Sequence, residues 1–226
     1  MKCKSPQATL QVSLMTLLGA IGVNFPVFAD CDLKTEVNDA NPQDVKRFFA
    51  NKSKKVVTFV GYSGAEYEDK RSMLKEAESV LDKLDASATI VNIGATPEGI
   101  GAIYLLAKDK GFTTTGIVST QAKAYDAALS DCVDYVFYVD DPSWGGYVEE
   151  GKNLSPTSSA IVESSDLMVG IGGGEVARDE LTAAQKLGKQ VQFIPADMNH
   201  QKAQEKARKK GLPEPTDFKG AADEVF

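Results

Sequence analysis

The 226-residue chain carries 25 basic and 32 acidic residues, a net charge of −7, with 42% hydrophobic residues. That balance excludes nucleic acid as a partner, because no basic stripe is available to neutralise phosphates; the one basic cluster, Lys202 to Lys210, is interleaved with Gln and Glu on a terminal helix. One histidine and three cysteines without ligand spacing predict neither a metal centre nor a resident cofactor.

Residues 1–29 read as a secretory signal, with Lys2 and Lys4, an apolar stretch around Leu14 to Val23, and Val27 and Ala29 in small-residue cleavage positions. Cleavage after Ala29 predicts a periplasmic or secreted chain of 197 residues, a single domain over 30–226, with no integral membrane span. A membrane anchor is the alternative, but Thr16, Gly19, Gly22, Asn24 and Pro26 interrupt the apolar core. Asp30 argues against a lipid on Cys31. Processing leaves 23 basic against 32 acidic residues, a net charge of −9. Cys31 and Cys132 then remain; they can pair in an oxidising compartment, while Cys132, just before a buried strand, also reads as plain core.

After a polar leader strand or coil over Asp30 to Asn41, Asn41 and Pro42 start a helix through Phe49. Val56 to Val60 is a strand, followed by the turn Gly61-Tyr62-Ser63-Gly64 and a helix from Asp69 to Leu84. Ala88 to Ile93 is a second strand, and Thr96 and Pro97 then predict a helix reaching Lys110, stopped by Gly111. Strands over Thr114 to Val118 and Asp134 to Val139 flank a helix over Gln121 to Ser130. The alternation breaks from Asp140 to Ser155, a loop with the only tryptophan, Trp144, which reads either as a lid or as a variable insertion. Ser155 and Pro156 start the next helix. A strand over Asp166 to Ile171, a helix from Glu175 and a strand over Gln190 to Ile194 complete the pattern. His200, beside Asn199 at a late helix start, reads as a surface residue.

Six strands alternating with helices predict an α/β fold: a doubly wound, mostly parallel six-stranded sheet with helices on both faces. Ligands of such folds gather at the carboxyl ends of the strands, where the strand order reverses. Three glycine-bearing turns fall there, after Val60, Ile93 and Ile171. The richest is SSDLMVGIGGGEVARDEL, in which a buried strand, Gly172 to Gly174 and a helix start follow without a break. Such a junction exposes free N–H groups and the positive end of a helix. Its helix places Ala177, Leu181, Ala184 and Gly188 on one side.

VVTFVGYSG, TIVNIGATPEGIGAIYLLAKDKGFTTTGIV and SSDLMVGIGGGEVARDEL together resemble the Rossmann-like superfamily that includes the LOG phosphoribohydrolases, DprA and the sensor domains of TRPM channels, often called SLOG. The resemblance covers Val56 to Ile194. It implies a pocket for a nucleotide or nucleotide-derived ligand formed by Gly61, Ser63, Gly64, Gly94, Ala95, Thr96, Gly99, Gly172, Gly173, Gly174 and Glu175, with phosphate near Gly172 and Gly173 and ribose near Gly61 to Gly64. A homodimer is implied by the same resemblance.

The departures bear on activity. Where family hydrolases have P-G-G-x-G-T-x-x-E, this chain has Ile171 to Asp179, so Glu175 and Val176 replace a glycine and a threonine, and Asp179 stands at the acid. Thr157 stands where the family has an arginine. Glu175 would also repel a phosphate unless Arg178 intervened. Arg178 and Asp179 are therefore the candidate catalytic pair, against ordinary first-turn dipole chemistry. The functional readings are a small polar or nucleotide-derived ligand, a non-catalytic scaffold or sensor for a protein partner, and a divergent N-glycosidic hydrolase. A dinucleotide dehydrogenase is weakest, as no GxGxxG follows the first strand.

Overall fold

The computed structural model describes residue 31, residues 35–148 and residues 153–226. The expected signal and its cleavage site lie outside the described residues. The first strand is the polar β1 (Glu36–Ala40), and runs rich in Val, Ile, Phe and Thr form β2 (Lys55–Gly61), β3 (Thr89–Ile93), β4 (Thr113–Ser119) and β5 (Tyr135–Val139). They continue with a hairpin of β6 (Tyr147–Val148) and β7 (Asn153–Leu154), then β8 (Leu167–Ile171) and β9 (Gln190–Ile194). The helices are α1 (Pro42–Lys52), α2 (Lys70–Leu81), α3 (Ile103–Asp109), α4 (Gln121–Ala124), α5 (Pro156–Ser164), α6 (Glu175–Lys186) and α7 (His200–Lys209).

The main sheet has seven strands in the order β1-β5-β4-β3-β2-β8-β9, every pair parallel. Six strands were expected; the seventh is β1, which pairs Glu36 with Tyr135 at the edge of β5. Side chains alternate across the sheet. Val57, Phe59, Val91, Ile93 and Val169 pack with Met73, Leu81 and Tyr104 under α2 and α3. Val56, Val60, Ile90, Ile117 and Met168 pack on the other face with Val45, Ile161 and Leu181 of α1, α5 and α6. Covering both faces is what a parallel sheet requires, and the doubly wound, Rossmann-like architecture follows. The order reverses at β2, which lies between β3 and β8.

Three expected elements change. The helix after β3 begins late, as a single 3-10 turn over Gly99–Ala102 leading into α3. Gly99 takes φ +57° and Ile100 N–H donates to Tyr62 O at 2.7 Å, which holds Gly94 to Glu98 in a non-helical path. The helix at Gln121 closes after four residues; Ala127 N–H returns to Ala122 O at 2.8 Å, and Asp126 adopts φ +48°. Beyond it, Cys132 is disulfide-bonded to Cys31, Cα to Cα 4.7 Å, which settles the choice between pairing and plain core. Finally, Gly188 is not on the inner face of α6 but exposed past its end at φ +72°, closing the helix through Gly188 N–H to Gln185 O.

Candidate functional site

A cavity of about 590 Å³ opens at the carboxyl ends of β2, β3 and β4. Gly61, Ser63 and Gly64 form one part of its rim, and Gly94, Thr96 and Pro97 another. Gly61 is fixed from beneath: Tyr67 Oη donates to Ile171 O at 2.7 Å and accepts Tyr62 N–H at 3.2 Å, and a Cβ on Gly61 would overlap that hydroxyl. Apolar walls come from Ile93, Ile117 and Val118 of the strands, and from Ile161 and Ala177 of α5 and α6. Ala127 to Leu129, the coil that the short α4 leaves, and Trp144 complete the lining.

The third turn sits elsewhere. Gly172 and Gly173 are buried next to Gly61 but outside the cavity lining, because the end of the chain covers them. Ala222 N–H donates to Gly173 O at 3.1 Å, Gly220 packs on the same carbonyl, and a Cβ on Gly172 would meet Ala196 O and the Tyr62 ring at 2.6 Å. Gly174 caps α6 with no side-chain hydrogen bond, and Glu175 is exposed. Ala95, at φ +58° and fully buried, also stays out of the lining; its N–H donates to Tyr104 Oη at 3.1 Å, and it packs on Gly116. Gly99 likewise packs on the Tyr62 and Ser63 carbonyls. Of the expected ligand residues, the structure gathers Gly61, Ser63, Gly64, Gly94 and Thr96 on one cavity and places Ala95, Gly99, Gly172, Gly173, Gly174 and Glu175 behind or beside it.

The expected catalytic pair holds a loop. Arg178 donates to Asp179 Oδ1 from Nε at 3.0 Å and from Nη2 at 2.8 Å, while Asp179 Oδ2 accepts Tyr147 N–H at 2.9 Å. Neither residue lines the cavity. The acid that does line its wall is Glu180, 3% exposed. Ser158 Oγ donates to Glu180 Oε1 at 2.6 Å and accepts Gly146 N–H at 2.7 Å. Burial pushes the Glu180 carboxyl up to about 7; the Ser158 hydrogen bond pulls the other way, and the Asp179 charge adds to the rise. Glu180 was legible in the periodicity, since it shares its helix face with Ala177, Leu181 and Ala184 at i+3 from Ala177. The one-residue-shorter register that matched Asp179 to the family acid concealed it.

Thr157 lies on the same wall, 3% exposed, and its hydroxyl makes no well-formed hydrogen bond among the described residues. The start of α5 is already satisfied: Ser155 caps it and Asp141 Oδ2 accepts Thr157 N–H at 2.9 Å. Burial would raise the Asp141 carboxyl, but hydrogen bonds from Ser143 and Thr157 outweigh it and hold the group below its ordinary value. Among the described residues the lining contains two carboxyl side chains, Glu98 and Glu180, and no Lys, Arg or His. His200 is stacked on Phe218 with ring centroids 3.8 Å apart and takes no part in this lining. Among the described residues no helix is long and apolar enough to cross a membrane.

No family model matches the chain, and no curated protein matches it. Among solved structures it is similar to the Moco carrier protein from Chlamydomonas reinhardtii, at 19% identity over 62% of this chain and 76% of that one, with a TM-score of 0.46. It is also similar to the structural-genomics target TM1055, at 23% identity over 61% of this chain and 72% of that one, with a TM-score of 0.43. Likeness at this level says nothing of ligand or chemistry.

Proposed function

We propose that the chain binds a small, uncharged polar ligand of nucleoside or nucleobase type in the cavity at the ends of β2 to β4. The observation that carries this reading is Glu180: a carboxyl buried on the wall of a largely apolar cavity, with its ionisation shifted to about 7. Few polar groups on apolar walls is the composition of small-molecule sites, and a buried titratable group in such a cavity marks a functional position. Glu180 and the Thr157 hydroxyl supply the polar contacts, and the Gly61 to Gly64 turn allows close approach. A nucleotide phosphate fits less well, because among the described residues no cation lines the cavity and two carboxyls do. The hydrolase reading keeps Glu180 as its buried candidate acid and lacks, among the described residues, the cation.

Secretion belongs to the same proposal. The Cys31–Cys132 bond supports it, since such bonds persist in oxidising compartments. Titration calorimetry with adenosine, adenine, cytidine and AMP tests the ligand class. At least one uncharged probe is expected to bind ten times more tightly than AMP; equal or tighter AMP binding, or no binding by any uncharged probe at millimolar concentration, would reject it.

A further inference from the structure

One exposed aromatic side chain, Trp144, lines the cavity, and a second, Tyr125, lies against it. Trp144 is 54% exposed and Tyr125 70% exposed, yet their rings meet at 5.7 Å and 40°. They come from different segments: Tyr125 ends α4 and leads into the Ala127 to Leu129 wall, whereas Trp144 belongs to the loop before α5. That loop is pinned on each side of its tip. Asp141 holds Ser143 and the start of α5, and Gly146 and Tyr147 N–H donate to Ser158 and Asp179. Between the pins, Gly145 and Gly146 take φ +118° and +83°, conformations that turn the chain directly after Trp144, itself part of the cavity lining.

Single exposed apolar residues are ordinary. Two exposed aromatics in contact, one of them part of the lining of a cavity, are a different arrangement. An aromatic face offers stacking energy to a flat partner at small entropic cost, and among the described residues the lining has no cation with which to recognise an anion instead. We infer that Trp144 is the shelf on which a flat, uncharged ring of the ligand stacks, and that Tyr125 occupies this shelf until the ligand displaces it. Trp144 is then the specificity-determining residue for ring shape, and Glu180 the polar anchor behind it. The inference rests on the ligand-binding reading given above.

The probes are adenine, benzimidazole and quinoxaline, with cyclohexanone as an uncharged ring that is not flat. Binding is followed by the Ala177 and Ile117 methyl resonances, and stacking by the fluorescence of the only tryptophan. Flat probes are expected to shift both methyls and quench Trp144 with one saturation curve. Trp144→Ala should weaken them at least tenfold, Trp144→Phe less than threefold, and neither should alter cyclohexanone. Tyr125→Ala should tighten the flat probes about twofold to threefold; unchanged or weaker binding would remove Tyr125 as the displaced group. If the methyls shift but Trp144→Ala leaves the flat probes unchanged, the shelf is wrong while the cavity reading stands. If no flat probe shifts the methyls, both fall.

Discussion

The Ser158 hydroxyl donates to Glu180 Oε1 at 2.6 Å and, through its own oxygen, receives the Gly146 N–H. One serine thereby ties α5, α6 and the Trp144 loop to a single buried carboxyl, so the ionisation of Glu180 bears on stability as well as on binding.

Burial raises Glu180 from 4.5 in the ordinary state to about 7 in the folded chain. Between those values the folded chain holds a proton that the unfolded chain has lost. Its contribution is therefore full below about pH 4.5 and falls as pH rises toward 7. Glu180→Gln should flatten this slope and leave the variant about 1–3 kcal/mol more stable than the wild type at pH 8. Urea unfolding across pH 4 to 8 checks the sign, and parallel profiles for the two proteins would contradict it.

Asp179 braces the loop, its Oδ1 accepting from Arg178 and its Oδ2 from Tyr147 N–H, and we propose that this is its role in place of contact with a ligand. Asp179→Asn is expected to cost about 1 kcal/mol of stability while ligand affinity changes less than threefold. Loss of binding at unchanged stability would return Asp179 to the site.

The Cys31–Cys132 bond joins the segment before β1 to the coil that lines the cavity. It spans 101 residues of sequence, so opening it frees a long loop in the unfolded chain. Cys132→Ser, or reduction of the wild type, should lower stability by about 2–4 kcal/mol. Equal unfolding midpoints with and without reductant would show that the bond adds nothing.

Gly220 lies against Gly173 O and the Tyr62 hydroxyl, and any Cβ there would overlap the carbonyl. Gly220→Val should displace the chain end at a cost of about 1–3 kcal/mol and speed hydrogen exchange at the Ala222 amide. Unchanged exchange would show that the end of the chain does not depend on this contact.

The sheet was legible because its central strands are β-branched and apolar and their helices carry clear caps, as at Asn41 and Ser155. β1 was harder to see. Its sequence, EVNDA, is polar and largely exposed, and only pairing with a strand almost a hundred residues later makes it a strand. The same distance in sequence hid the fate of Gly172 and Gly173: the turn itself is local, but its cover, Gly220 to Ala222, arrives from the other end of the chain. Two rims of the cavity were readable as glycine turns after strands. Its anchor was obscured for a different reason, since a motif register pointed at Asp179 and Glu180, a charged residue in the first turns of α6, read as part of a solvated helix end although it is buried beside Ala177, Leu181 and Ala184.

The most direct test of the account is a titration of the wild type with adenosine, followed through the methyl groups of Ala177, Ile117 and Ile161 on the cavity walls and of Val225 and Leu212, which are exposed. The account predicts saturable shifts at the three wall residues, none at Val225 or Leu212, and at least tenfold weaker binding in Glu180→Ala. Shifts confined to the exposed residues, or equal affinity in Glu180→Ala, would contradict it.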